Sequence, residues 1–345
     1  MLIGFDGSRA FSKTRTGTEN YSYQLLKALS GIDKKNKYLV YLRLGNEVKV
    51  SQWPKNFQFS ILNFKFLWTQ VGLSLQTFKD KMDVLFVPAH TLPLIRKPGL
   101  KTVVTVHDLG SEYLPQMHQF KQRLYLSFMQ RYQLKGATKI IAVSNATKED
   151  LIKKIGINPG KVEVVYEGHD KDKFKSDILV ESLKQYYLFV GTIQPRKNIE
   201  RIIEAAYRIK QKLVIAGSKG WGRKLKVVGN VEFLGYVPDK KLAKLYKGAI
   251  ALLFPSLFEG FGLPILEAQA CGCPVITSNI SSMPEVAGKG AIYVNPYNLD
   301  DIVRGMIKIN NQDTRNKLIK LGFENIKRFS WEKCARETLK VLEDL

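Results

Sequence analysis

The chain predicts a doubly wound α/β architecture in two domains, and three observations carry that expectation. Short apolar runs alternate with helical stretches from end to end, the pattern of parallel sheets covered on both faces. The series restarts after a charged segment from Lys171 to Lys184. Finally, 345 residues exceed what one hydrophobic core organises, while an apolar content of 45% suffices to fill two.

Taken in order, the first strands are expected at residues 2–5, 38–42, 57–62, 84–87, 102–106, 140–143 and 162–165. The opening Met-Leu-Ile-Gly-Phe-Asp-Gly reads as a strand and not as a signal peptide. A helical run follows Gly17 and extends to Leu29. After the charged segment, strands are expected at 187–190, 213–216, 231–234, 251–254, 275–277 and 291–294. Ile199, Ile202, Ile203, Ala206 and Ile209 keep helical spacing, with Asn198 as a side-chain N-cap. Pro264 suits a first helical position because its missing NH would have no partner there. A last helix spans 331–342. The domains are accordingly set at 1–170 and 171–328, with 329–345 as a terminal helix.

Ligands of open parallel sheets bind beyond the carboxyl ends of strands, and the chemically informative residues all follow a strand. The most informative stretch, 259–267, reads Glu-Gly-Phe-Gly-Leu-Pro-Ile-Leu-Glu. Gly260 and Gly262 let backbone NH groups around Phe261 and Leu263 approach an anion. Glu259 on the loop and Glu267 one turn inside the helix are acceptors suited to vicinal hydroxyls of a sugar and a ribose. The plainer reading makes Glu267 a complement to the helix dipole and Glu259 a solvated loop residue. Earlier, a strand ends in Gly191 and leads to Arg196 and Lys197, a fork donor and an ammonium suited to a diphosphate at a helix start. Alone, such a pair reads as solvated. Gly217 follows the next strand, and His107 with Asp108 follows the strand at 102–106. Asp108 reads equally as a turn residue.

Together these stretches resemble the retaining glycosyltransferases of family 4, in which an E-x7-E segment and an Arg-Lys pair hold a nucleotide-sugar donor. The likeness extends to Thr16-Gly17-Thr18, Val143-Ser144-Asn145, the run 274–279 and Met283-Pro284-Glu285. It implies a GT-B fold, two Rossmann-like domains facing each other across a cleft with the last helix crossing back to the first domain. It implies that Arg196 and Lys197 neutralise the leaving diphosphate, and that Glu267 binds the ribose. Glu259 and the NH groups from Phe261 to Leu263 would grip the sugar, Gly17 would approach the phosphates, and His107 would touch the sugar near its reacting carbon. The donor would be GDP-mannose or a UDP-sugar and the acceptor a glycan or a lipid-linked saccharide. Two departures stand out: Thr16-Gly17 where many relatives carry two glycines, and Glu167-Gly168-His169-Asp170 where Asn-Gly-Val-Asp is common, a segment read here only as a chain turn.

Composition narrows the rest. No apolar run is long enough to span a bilayer, so a cytoplasmic protein is expected. Cys271, Cys273 and Cys334 fit neither a redox pair nor a usual zinc spacing and are expected to be buried. The formal charge of +23 is spread over both halves without a nucleic-acid-binding module, which excludes nucleic acid and favours a peripheral contact with anionic membrane. Two basic, aromatic segments are candidates for that contact, residues 55–81 and 118–135, against the alternative of core helices with snorkelling lysines. Asp170-Lys171-Asp172 has a metal-binding spacing but is read as a decoy, with no metal required. The rival functions are a nucleotide-sugar epimerase of the same architecture and a non-catalytic polyanion-binding protein.

Overall fold

The computed structural model describes residues 1–12, 17–64, 67–109, 131–175, 177, 186–220, 222 and 225–345. Internal contacts divide the chain into two units, Met1–Gly168 with Trp331–Leu345, and His169–Ser330.

The first unit holds a seven-stranded parallel sheet of β1 (Leu2–Asp6), β2 (Lys37–Arg43), β3 (Phe57–Leu62), β4 (Val84–Val87), β5 (Lys101–Val106), β6 (Lys139–Ala142) and β7 (Val162–Val164). Its order is β3-β2-β1-β4-β5-β6-β7. Phe5 of β1 stands in register with Val40 on one side and Phe86 on the other. Every residue of β4 is buried, which is why this strand is apolar without alternation. One face is covered by α1 (Gly17–Ile32), whose Tyr21, Leu25 and Leu29 share a core with Trp331, Cys334 and Ala335. The other face packs a π-helical turn, Trp68–Leu73, that runs into α2 (Ser74–Lys79). Beyond β6, α3 (Asn145–Asp150) is capped by Ser144, whose Oγ accepts from the Thr147 amide at 3.0 Å.

In the second unit, β8 (Tyr186–Val190), β9 (Lys212–Ala216), β10 (Val231–Gly235), β11 (Ala251–Phe254), β12 (Val275–Ser278) and β13 (Ala291–Val294) form a parallel sheet. The order is β10-β9-β8-β11-β12-β13. The helices are α4 (Ile199–Arg208), α5 (Asp239–Gly248), α6 (Leu263–Ala270), α7 (Met283–Ala287), α8 (Leu299–Lys308) and α9 (Gln312–Ile326). α10 (Trp331–Glu343) returns to the first unit, where Trp331 meets Tyr21 edge-on at 5.9 Å. Both sheets thus have the doubly wound order, reversing direction between β1 and β4 and between β8 and β11.

The two segments weighed as membrane contacts or core divide between both in their described residues. Phe57 and Trp68 are core residues, and Phe59 and Phe64 are half-buried, because strand β3 and the π-helical turn spend their aromatics on packing. Leu67 and Phe78 are exposed, whereas Phe66 and residues 118–130 lie outside the described residues. All three cysteines are buried and unpaired, as expected.

Candidate functional site

At the reversal point of the second sheet, β8 and β11 end side by side and send out the loops that carry the predicted residues. Gly191 follows β8 with φ 143° and Gly217 follows β9 with φ 154°. A Cβ on Gly217 would lie 2.0 Å from the Gly191 carbonyl oxygen, so the two loops approach too closely for any side chain there. A Cβ on Gly191 would come 3.7 Å from Lys197 Nζ.

Arg196 and Lys197 sit in a single 3-10 turn, Pro195–Lys197, directly before α4. Asn198 does not cap α4 with its side chain, contrary to the sequence reading. It takes a left-handed conformation, φ 61°, and its amide donates to the carbonyls of Pro255 (3.0 Å) and Pro296 (2.8 Å). The residue therefore pins the Arg-Lys turn to the loop leaving β11.

That loop delivers Glu259 between the two cations. Glu259 Oε2 accepts from Arg196 Nη1 at 2.6 Å, and Glu259 Oε1 lies 2.5 Å from Lys197 Nζ. Lys197 is buried, with Nζ 4.6 Å from the centre of the Phe254 ring. Burial alone would raise the Glu259 pKa, but the charges of Arg196 and Lys197 outweigh it and hold the carboxyl below its usual range. The trio carries a net single positive charge, with Lys197 and Glu259 buried and Arg196 half-buried. Arg196 is further oriented by Gln194 Oε1 (3.1 Å) and the Phe258 carbonyl (3.2 Å).

The glycine-rich turn is held from behind. Ser281 and Ser282 hydroxyls donate to the Glu259 carbonyl at 2.6 and 3.0 Å, and Ser282 also donates to the Phe261 carbonyl at 2.8 Å. Phe261 is buried edge-on to Phe329 at 5.8 Å. Gly262 opens α6 with φ 110°, a conformation that favours glycine. Gly260 is buried within the same turn, and Leu263 is half-buried at the first helical position.

Glu267 lies further along α6 and has a separate environment. Its Oε2 accepts the Tyr246 hydroxyl at 2.8 Å. Burial pushes the carboxyl up to about 7; the Tyr246 bond opposes the rise, Asp239 and Asp170 add to it, and Lys173 reduces it. The structure thus joins Arg196, Lys197 and Glu259 directly and gives Glu267 its own neighbours.

The remaining predicted residues belong to the first unit. His107 follows β5, with Nδ1 3.1 Å from Glu167 Oε1 and Nε2 3.1 Å from the Pro88 carbonyl. The edge of Tyr21 packs on the ring at 4.6 Å. Glu167 is buried, so the linker motif does more than turn the chain: it fixes the histidine ring. Asp108 is half-buried, and its charge acts on His90. Gly17 opens α1, and a Cβ there would meet no atom within 4 Å, so the fold does not itself require glycine. Thr16 lies outside the described residues.

Several residues escaped the sequence reading. His90, beyond β4, stands 5.4 Å from the His107 ring, and its Nδ1 is buried without a partner. Burial, followed by the neighbouring His107, lowers its pKa to about 4. Ser281, Ser282 and Tyr246 carry no motif of their own, while Glu167 signalled itself as a departure from the usual linker. Among the described residues, no group of three or more His, Cys, Asp or Glu could hold a metal ion. Asp170 pairs with Lys173 at 3.2 Å and accepts the backbone amide of Asp172, as a turn residue does.

Comparison with known proteins matches residues 16–173 to the model "Glycosyltransferase Family 4" and residues 170–324 to "Glycosyl transferases group 1". The chain is 30% identical over 268 residues to the O-antigen chain mannosyltransferase B of Escherichia coli, covering 69% of each protein. Its fold is similar to that of sucrose-phosphate synthase from Thermosynechococcus elongatus, with a TM-score of 0.80 at 18% identity over 99% of this chain and 98% of the other. The structure of Anabaena HepE in complex with UDP and glucose matches with a TM-score of 0.73 at 15% identity, over 100% of this chain and 99% of the other.

Proposed function

Starting from a chain that belongs to glycosyltransferase family 4 of the glycosyl transferases group 1 and has the GT-B fold, we propose that it moves a mannose- or glucose-like hexose from a nucleotide-sugar to a glycan or lipid-linked acceptor, with retention at the anomeric carbon. The observation that carries the reading is the Arg196, Lys197 and Glu259 cluster at the reversal point of the second sheet. Two buried or half-buried cations sharing one carboxylate leave a positive charge that a diphosphate complements. As the glycosidic bond breaks, charge gathers on the leaving phosphate, and each well-aimed donor lowers that barrier by about 3 kcal/mol. Engaging the diphosphate loosens the hold of Arg196 and Lys197 on Glu259, whose oxygens then accept sugar hydroxyls. Glu267 accepts from the ribose.

No carboxylate is assigned as a covalent nucleophile. The acceptor oxygen attacks from the face the diphosphate leaves, and a departing phosphate oxygen takes its proton. The two cations serve where other transferases use a metal. The roles of His107 and Gly17, at the sugar and at the phosphates, rest on the family resemblance. The mannosyltransferase relative favours GDP-mannose as donor, and the UDP and glucose bound to the structural neighbour keep a UDP-sugar in view. The enzyme would work in the cytoplasm at the inner face of the membrane.

Thermal melting with nucleoside diphosphates and their sugars tests the reading. The cognate compound raises the melting temperature by binding only the folded chain. If none does so at millimolar concentration, the reading fails. Isomerised donor in the absence of acceptor would indicate the epimerase instead, and an anomer of inverted configuration in the product would overturn retention.

A further inference from the structure

The donor residues stand beyond the carboxyl ends of the second sheet, and a separate hollow of about 600 Å³ opens at the edge where its strands begin. Gln211 precedes β9, Ile250 precedes β11 and Gly272 lies before β12, so each leads into a strand whose far end serves the donor loops. The length of β11 alone puts roughly 13 Å between the two edges. Hollows of this size hold small molecules. Two cations line it, Lys247 at the end of α5 and Arg315 in the first turn of α9. Both are half-buried, and among the described residues neither side chain makes an ion pair or a hydrogen bond. Among the described residues, no Asp or Glu lines the hollow.

Ordinary structural roles account for one of these charges and not for the other. An ammonium at a helix carboxyl end complements the dipole, which suits Lys247, but a guanidinium in the first turn of a helix opposes it. Arg315 nevertheless lies close under the sheet, where its charge acts on the buried thiol of Cys273, as that of Lys247 acts on Cys271. Gly272 takes φ 68°, and a Cβ there would come 3.9 Å from Lys247 Nζ, so the turn after α6 runs beside the ammonium without a side chain to cover it.

We propose that this hollow binds a phosphomonoester of a polyhydroxylated compound, a hexose phosphate by class. Two unpaired cations match a dianion, the ammonium as a point charge and the guanidinium as a two-pronged donor. The amides of Gln211 and Asn310 offer donors and acceptors for hydroxyls. Asn310 Oδ1 takes the Tyr187 hydroxyl at 3.4 Å, which leaves its NH2 to donate. Ile250 and Ile319 give an apolar wall for the carbon skeleton. A nucleic-acid backbone is a poorer occupant, because each of its diesters carries a single charge and both cations are half-buried. The site shares no residue with the donor assignment and stands or falls separately from it.

Titration calorimetry of the full chain at fixed ionic strength, with glucose 6-phosphate, mannose 1-phosphate and sulfate, tests the proposal; each titration is repeated with UDP or GDP in excess. A hexose phosphate should bind at one site per chain, at least tenfold more tightly than sulfate, and neither nucleotide should displace it. Lys247→Gln and Arg315→Gln should each weaken that binding tenfold or more. Because neither cation has a partner to lose, both variants should melt as the wild type does and keep its response to nucleoside diphosphate. Binding of neither ester at millimolar concentration, or affinity no better than that of sulfate, would overturn it. So would displacement by nucleotide, or variants that bind like the wild type.

Discussion

If Glu267 binds the ribose, nucleotide binding must expel a proton, because its carboxyl holds one up to about pH 7 in the ligand-free protein. Two donating hydroxyls favour the charged form and return the group toward the ordinary carboxylate range near pH 4.5. The release expected on saturation is then about 0.9 proton at pH 6, about 0.5 at pH 7 and about 0.1 at pH 8. Affinity accordingly strengthens almost tenfold per pH unit through the interval below pH 7 and levels off above it. Titration calorimetry in buffers of different ionisation heat, phosphate and Tris, reads this number directly, and Glu267→Gln should abolish it. Identical heats in both buffers at pH 6.5, or release that persists in the Gln variant, would refute the assignment of Glu267 to the ribose. The same raised pKa has a stability consequence. The unfolded chain loses this proton near pH 4.5 and the folded one near pH 7, so the contribution is full below pH 4.5 and declines as pH rises to 7. The total loss is on the order of 3 kcal/mol, less whatever solvent contact at this half-buried group relieves. Glu267→Gln should melt with a flatter pH dependence across that window.

Lys197→Ala should lower turnover by about a hundred- to a thousandfold while weakening donor binding much less, measured as separate kcat and KM effects; unchanged turnover removes Lys197 from the chemistry. Gly217→Ala drives a methyl into the Gly191 carbonyl at a strained φ and should cost about 3 kcal/mol or more in denaturant unfolding, or abolish soluble expression. Activity should survive prolonged treatment with EDTA, and loss that manganese restores would assign the metal role to a site other than the cation pair. Glu167→Gln should leave nucleotide-induced stabilisation intact and lower kcat, since its carboxylate aligns the His107 ring; an unchanged kcat would confine Glu167 to a structural part.

The strands were legible because parallel sheets covered on both faces leave unbroken apolar runs, and the thirteen strands among the described residues fall where those runs lie. The fold class followed from their alternation. Side-chain partnerships were harder to read. Asn198 suits a cap by composition, yet asparagine also tolerates the left-handed conformation it adopts, and only the tertiary positions of Pro255 and Pro296 decide between the two. Glu167 lies sixty residues from His107 in sequence, a separation at which local spacing carries no signal. Ser281 and Ser282 brace the Glu259 turn from a neighbouring loop in the same silent way. Hydrophobicity told which segments were amphipathic but not which aromatics faced water, so the choice between a surface and a core for residues 55–81 stayed open until Phe57 and Trp68 were seen to be buried.

The return of α10 to α1 has a consequence for synthesis. Trp331, Cys334, Ala335 and Leu342 complete the core that Tyr21, Leu25 and Leu29 begin, so the portion made first at the ribosome keeps an unfinished apolar flank until the final turns of the chain emerge. At roughly 5–20 residues per second that wait lasts on the order of ten seconds or more, during which the whole His169–Ser330 unit can fold ahead of its predecessor.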